Sequence, residues 1–168
     1  MKKLILALSL SLSLMTSAFA AEDPWKPFGF MMGEWTGSGS GKPGEGTGEF
    51  SLKADLGGKI LVRRNHNEYA PKAGQPKGMS HDDLMIIYPP QGAGSFLADY
   101  FDSEGHVIHY TVSFPDGKVV LVSDGAANGP RFRLTYSKKS DTSLGIDFEV
   151  APPGQDFRPY LSGTVTRK

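Results

Sequence analysis

The stretch that decides the fold reads Gly33-Glu34-Trp35-Thr36-Gly37-Ser38-Gly39-Ser40-Gly41. Gly33, Gly37, Gly39 and Gly41 share one parity with Trp35, so an extended chain here carries, on one face, a single large ring among bare backbone. Glycine in a strand permits sharp bending and close approach of a second backbone, which a small barrel needs where its first strand curls over one end. Trp35 then plugs the barrel floor. A phosphate-binding loop does not fit the flanks: Gly41-Lys42 lacks the following Ser or Thr, and Pro43-Gly44 does not open a helix. A flexible linker does not fit either, because Phe28, Phe30, Met31 and Met32 directly precede the stretch.

Outward from this stretch, glycine and proline punctuate short runs rich in Val, Ile, Tyr, Phe and Thr, which is strand spacing. The predicted strands are 34–41, 47–54, 59–69, 79–88, 95–102, 106–114, 118–123, 131–137, 143–150 and 157–166. Between them stand turn sequences such as Gly57-Gly58, Asp102-Ser103-Glu104-Gly105 and Pro115-Asp116-Gly117. Several runs alternate: Ile108, Tyr110, Val112 and Phe114 fall on one face, as do Phe132, Leu134 and Tyr136, and Leu144, Ile146, Phe148 and Val150. One face is buried and one is wet. About ten hairpin-linked strands avoid two long open edges by closing on themselves, so the sequence predicts an all-β, antiparallel up-and-down barrel. A short apolar turn at Pro27–Met32 precedes the first strand and could cap one end.

The chain opens with Lys2-Lys3, an apolar stretch from Leu4 to Leu14 and then Ala18-Phe19-Ala20, the order of a secretory signal peptide. The expectation is a leader over 1–20, a single barrel domain over 21–168, and a periplasmic or secreted mature form with no membrane span. Without the two leader lysines the 18 basic residues become 16 against 18 acidic ones, with no basic run beyond pairs. Nucleic acid, which rewards clustered positive charge, is not an expected partner. The chain has no cysteine, which removes disulfides and a thiol nucleophile.

The glycine and tryptophan strand resembles the first-strand signature of the calycin superfamily, the lipocalin and fatty-acid-binding-protein barrels, and is most similar to the nitrobindin-like branch. Leu56-Gly57-Gly58-Lys59-Ile60-Leu61 with Arg63-Arg64, and Tyr100-Phe101-Asp102-Ser103-Glu104-Gly105, resemble functionally unassigned secreted bacterial barrels of the same kind. The resemblance implies about ten antiparallel strands around a cavity. In lipocalins the signature tryptophan packs against a basic residue of the last strand, and Arg167 matches that position. The nitrobindin-like branch binds haem through a late histidine, whereas the last histidine here is His109. Haem ligation is therefore not carried over, and no cofactor is expected.

Candidate chemistry is sparse. His106 and His109 are three apart on one strand and diverge, and His81-Asp82-Asp83 alternates across a strand, so no metal site is expected. No catalytic set emerges, although an enzyme stays open. If Ile60 and Val62 face inward, Arg64 and His66 follow them into the barrel, where Arg64 could hold the acidic head of a ligand. The apolar part of that ligand would meet Phe96, Tyr100, Ile108, Tyr110, Phe132, Tyr136 and Phe148. Trp35, Gly37, Gly39 and Arg167 are assigned to the scaffold. The expected function is binding of a small, mainly apolar or amphiphilic molecule inside the barrel; the alternative is a side-chain-filled barrel that works through its surface. Oligomeric state stays open.

Overall fold

The computed structural model describes residues 23–73, 76–125 and 128–168. The expected leader lies outside them. A 3-10 helix at Lys26–Met31 precedes ten strands: β1 (Gly33–Gly41), β2 (Gly46–Asp55), β3 (Ile60–Tyr69), β4 (Met79–Tyr88), β5 (Leu97–Asp102), β6 (Val107–Ser113), β7 (Val119–Ser123), β8 (Arg131–Ser140), β9 (Ser143–Ala151) and β10 (Arg158–Arg167). Each pairs antiparallel with its neighbour in sequence, and β1 pairs with β10, so the meander closes into a barrel. The all-β, up-and-down architecture is as the strand spacing predicts.

Closure depends on the opening glycines. Trp35 stands opposite Arg167 and Gly39 opposite Gly163 across the β1–β10 seam. A Cβ added at Gly37 would lie 2.1 Å from the Thr164 carbonyl oxygen, and one at Gly41 would lie 2.2 Å from that of Tyr160. Neither position has room for a side chain.

One end of the barrel is filled. Trp35 is wholly buried, and its indole N–H donates to the Met31 carbonyl at 2.8 Å, which ties the first strand to the 3-10 helix. That helix starts with Pro27 in its first turn, where the missing N–H costs nothing, and it buries Phe28 and Met31. Phe28 meets Phe96 and Phe114 edge-on at 5.3 and 5.2 Å between ring centroids, an arrangement that suits the ring quadrupoles. Trp25 adds a ring at 5.3 Å from Phe96 and donates its indole N–H to the Gly58 carbonyl. Above this plug come Leu52, Leu61, Ile87, Val112, Leu121 and Leu144, all buried inward-facing residues of their strands. Burying each such side chain stabilises the fold by roughly 1.5–3 kcal/mol.

Candidate functional site

The opposite half of the barrel is open. A cavity of about 580 Å³ lies between the ends of the strands away from the 3-10 helix, a size ordinary for a small-molecule site. Its two sides differ chemically. Strands β8 to β10 supply Phe132, Leu134, Ile146, Phe148, Leu161 and Val165, with Phe132 and Phe148 stacked at 5.9 Å. Strands β3 to β5 and the turn after them supply Arg63, Asn65, His81, Asp83, Asp102 and Glu104.

The polar side is a connected network. Arg63 donates to Asp83 at 2.5 Å, with side chains only 7% and 4% exposed, and Asn65 donates to the other Asp83 oxygen at 2.9 Å. The Arg63 guanidinium lies 5.4 Å from the ring centroid of Phe50 and 5.9 Å from that of Tyr136. Burial is the largest influence and works against its charge, but Asp83 together with Tyr136, Tyr100 and Tyr110 more than offsets it and holds the pKa above the usual value. His81 Nε2 lies 3.0 Å from the Tyr100 hydroxyl and 3.5 Å from Asp83, and its Nδ1 lies 2.9 Å from Glu104. The hydrogen bond to Asp83, supported by Glu104, raises the His81 pKa to about 9. Burial pushes the Asp102 carboxyl up, yet the backbone N–H and imidazole of His106, both 2.8 Å away, bring it below the ordinary value. Burial drives the Tyr100 and Tyr110 hydroxyls far above the usual phenol range, so both are neutral donors and acceptors. Among the described residues, the fully buried Arg63 Nε and Tyr136 hydroxyl have no hydrogen-bond partner of good geometry.

Of the residues expected to meet a ligand, Tyr100, Ile108, Tyr110, Phe132 and Phe148 line this cavity. Tyr136 is buried beneath it. Phe96 belongs to the aromatic plug at the filled end and does not face the cavity, because the loop before β5 passes under the barrel beside Phe28 and Phe114.

The inward phase of β3 is the reverse of the expected one. Leu61 and Arg63 point inward opposite the buried Ile87 and Met85 of β4, and Arg64 is exposed on the outer wall. The reason is register: Arg63 also faces Leu52 of β2, and Asp83, which shares the inward parity of Met85 and Ile87, supplies its counter-charge. His66 is likewise outside, its imidazole held between Asp82 at 2.7 Å and Glu68 at 3.0 Å. The acidic Asp99 lies on the outer wall paired with His109, while Asp102, two strand positions from Tyr100, turns inward at the rim.

Arg63, Asn65, His81, Asp83, Asp102 and Glu104 are among the cavity residues that sequence reasoning did not place there. Parity held the signal for two of them, since His81 and Asp83 share the face of Met85 and Ile87.

No family model and no curated protein matches the chain in sequence. Solved structures do resemble it in shape. Rv2717c from M. tuberculosis superposes with a TM-score of 0.59 at 15% identity, over 86% of this chain and 96% of that one. The S-type phycobiliprotein lyase CPES from Guillardia theta gives 0.53 at 12% identity, over 85% and 91%. At these identities the likeness is one of barrel fold alone.

Proposed function

We propose that the chain is an exported protein that binds one small, mainly apolar molecule with an uncharged polar head in the open half of its barrel. The observation that carries this reading is the two-sided cavity, with a stacked Phe132 and Phe148 wall facing a wall of fixed hydrogen-bonding groups. A flat apolar body gains from the first by losing contact with water. A hydroxyl, ketone or amide head finds both donors and acceptors on the second. An acidic head suits the cavity poorly, because its one arginine is already engaged by Asp83 and two further carboxylates, Asp102 and Glu104, stand beside it. Desolvating another anion there would be costly.

The test compares a dansyl-labelled fatty acid with its primary amide, by fluorescence titration of the chelator-treated protein at neutral pH. The amide is expected to bind more tightly, and Phe148→Ala to weaken it by about tenfold, as loss of one large apolar contact implies. Tighter binding of the acid, or no binding of either probe, would overturn the reading. Export is tested separately by N-terminal sequencing of protein recovered from the periplasm or medium, with Ala21 as the expected first residue.

A further inference from the structure

The carboxylates of the polar wall outnumber its one arginine, and two of them lean on imidazoles instead, Glu104 on His81 and Asp102 on His106. Three carboxylates, Asp83, Asp102 and Glu104, face the cavity with one arginine, and that arginine bonds Asp83. Asp102 is 4% exposed, as deeply excluded from water as Asp83, yet its partners are the neutral Tyr100 hydroxyl, backbone N–H groups and the rim imidazole of His106. Carboxylates in so dry a setting are stabilised by a paired cation or by a bound metal ion.

The residues around Asp102 are of the right type for the second. His81 of β4, Asp102 at the end of β5 and Glu104 in the following turn each offer a donor atom, and the three atoms lie within 4.8 Å of one another. They come from positions about twenty residues apart, joined because β4 and β5 pair and Asp102 lies opposite Asp83. His81 and Asp102 are held from behind, His81 by Tyr100 and Asp83, Asp102 by its turn and by His106. Such outer partners fix ligand orientation in metal sites. Glu104, 42% exposed, can close onto an ion without disturbing a strand.

We propose that His81, Asp102 and Glu104 form a binding site for one divalent transition-metal ion at the cavity rim. One imidazole nitrogen with two carboxylates suits zinc or manganese better than magnesium or calcium, which take oxygen donors. Three protein donors would leave coordination positions open, and all three residues line the cavity. The site stands apart from the choice of organic ligand and is tested without one.

The experiment titrates the purified, chelator-treated chain with Co²⁺ and follows the visible d–d absorption, then displaces Co²⁺ with Zn²⁺. The expected result is one ion per chain, with an affinity lowered at least about tenfold in both His81→Gln and Glu104→Gln, since even outer partners of a metal site are worth about that much. Glu104 is a surface position, so its variant keeps the fold, which circular dichroism checks. His66→Gln, which alters the imidazole held by Asp82 and Glu68 on the outer wall, is expected to bind as the parent does. No stoichiometric Co²⁺ spectrum, an unchanged affinity in Glu104→Gln, or an equal loss in His66→Gln would overturn the proposal.

Discussion

Arg63 and Asp83 form an ion pair inside the barrel, 2.5 Å apart and almost closed to solvent, and it joins β3 to β4 just above the filled half. Removing one member leaves the other charged and buried. Arg63→Met is therefore expected to cost about 3–5 kcal/mol, while Arg63→Met combined with Asp83→Leu recovers most of that loss. Arg64→Met, on the outer wall, is expected to stay within about 0.5 kcal/mol. Urea unfolding of the four proteins checks this; a harmless Arg63→Met together with a damaging Arg64→Met would mean that the inward phase of β3 is wrong.

Trp35 anchors the filled end through its ring and its indole N–H. Trp35→Ala is expected to destabilise by about 3–5 kcal/mol, the cost of a large buried ring. The Arg167 guanidinium lies 4.3 Å from the Trp35 ring centroid and donates to the carbonyls of Met32 and Phe30. Arg167→Met removes a partly exposed cation from that ring and is expected to cost about 0.5–2 kcal/mol. Thermal unfolding of both variants tests the order; a larger loss at Arg167 than at Trp35 would reject it.

Gly37→Ala places a methyl group against the Thr164 carbonyl, which belongs to backbone and cannot swing aside. A loss of at least about 1–3 kcal/mol is expected. Gly29→Ala, with open space around its Cβ position, is expected to change stability by less than about 0.5 kcal/mol. Chemical denaturation of the pair measures the difference, and equal values would show that the seam has slack.

His66 lies between Asp82 and Glu68, and the hydrogen bond to Asp82 is the main reason its pKa is raised. The sign follows from the direction: a histidine raised in the folded state contributes stability below its unfolded pKa of about 6.5, and that contribution is lost as pH rises through the folded value. Asp82→Asn is expected to bring the His66 pKa back toward the ordinary value, as read by NMR titration of the ring protons. A value unmoved by that substitution would mean that the ring does not share its proton with Asp82.

The barrel was legible in the sequence because its cause is local. Alternation in β6, β8 and β9 places Tyr110, Leu134, Tyr136 and Leu144 inside, and each is buried. In β3 the same method fails. Val62 and Ile60 look like inward residues, and Arg63 looks like an outward one until Asp83, twenty residues away, supplies its partner. A buried ion pair inverts the rule that apolar residues mark the inner face. The polar wall was mostly illegible for the same reason: spacing within β4 puts His81 and Asp83 on the face of Met85 and Ile87, but the pairings that make these residues matter are formed across strands.

The β1–β10 seam also has a consequence for how the molecule comes together. The contacts from Arg167 to the Met32 and Phe30 carbonyls span 135 and 137 residues and join the two ends of the described chain. Every other strand pair joins sequence neighbours and can form as a hairpin; this one must wait for the last strand, and loop-closure entropy opposes it. Until it forms, β1 and β10 are two unsatisfied edges, and β1 has few side chains to keep a foreign strand away. A chain truncated before Arg158 would therefore be expected to aggregate or to exchange strands between molecules, with the first strand of one copy taken up by the open edge of another.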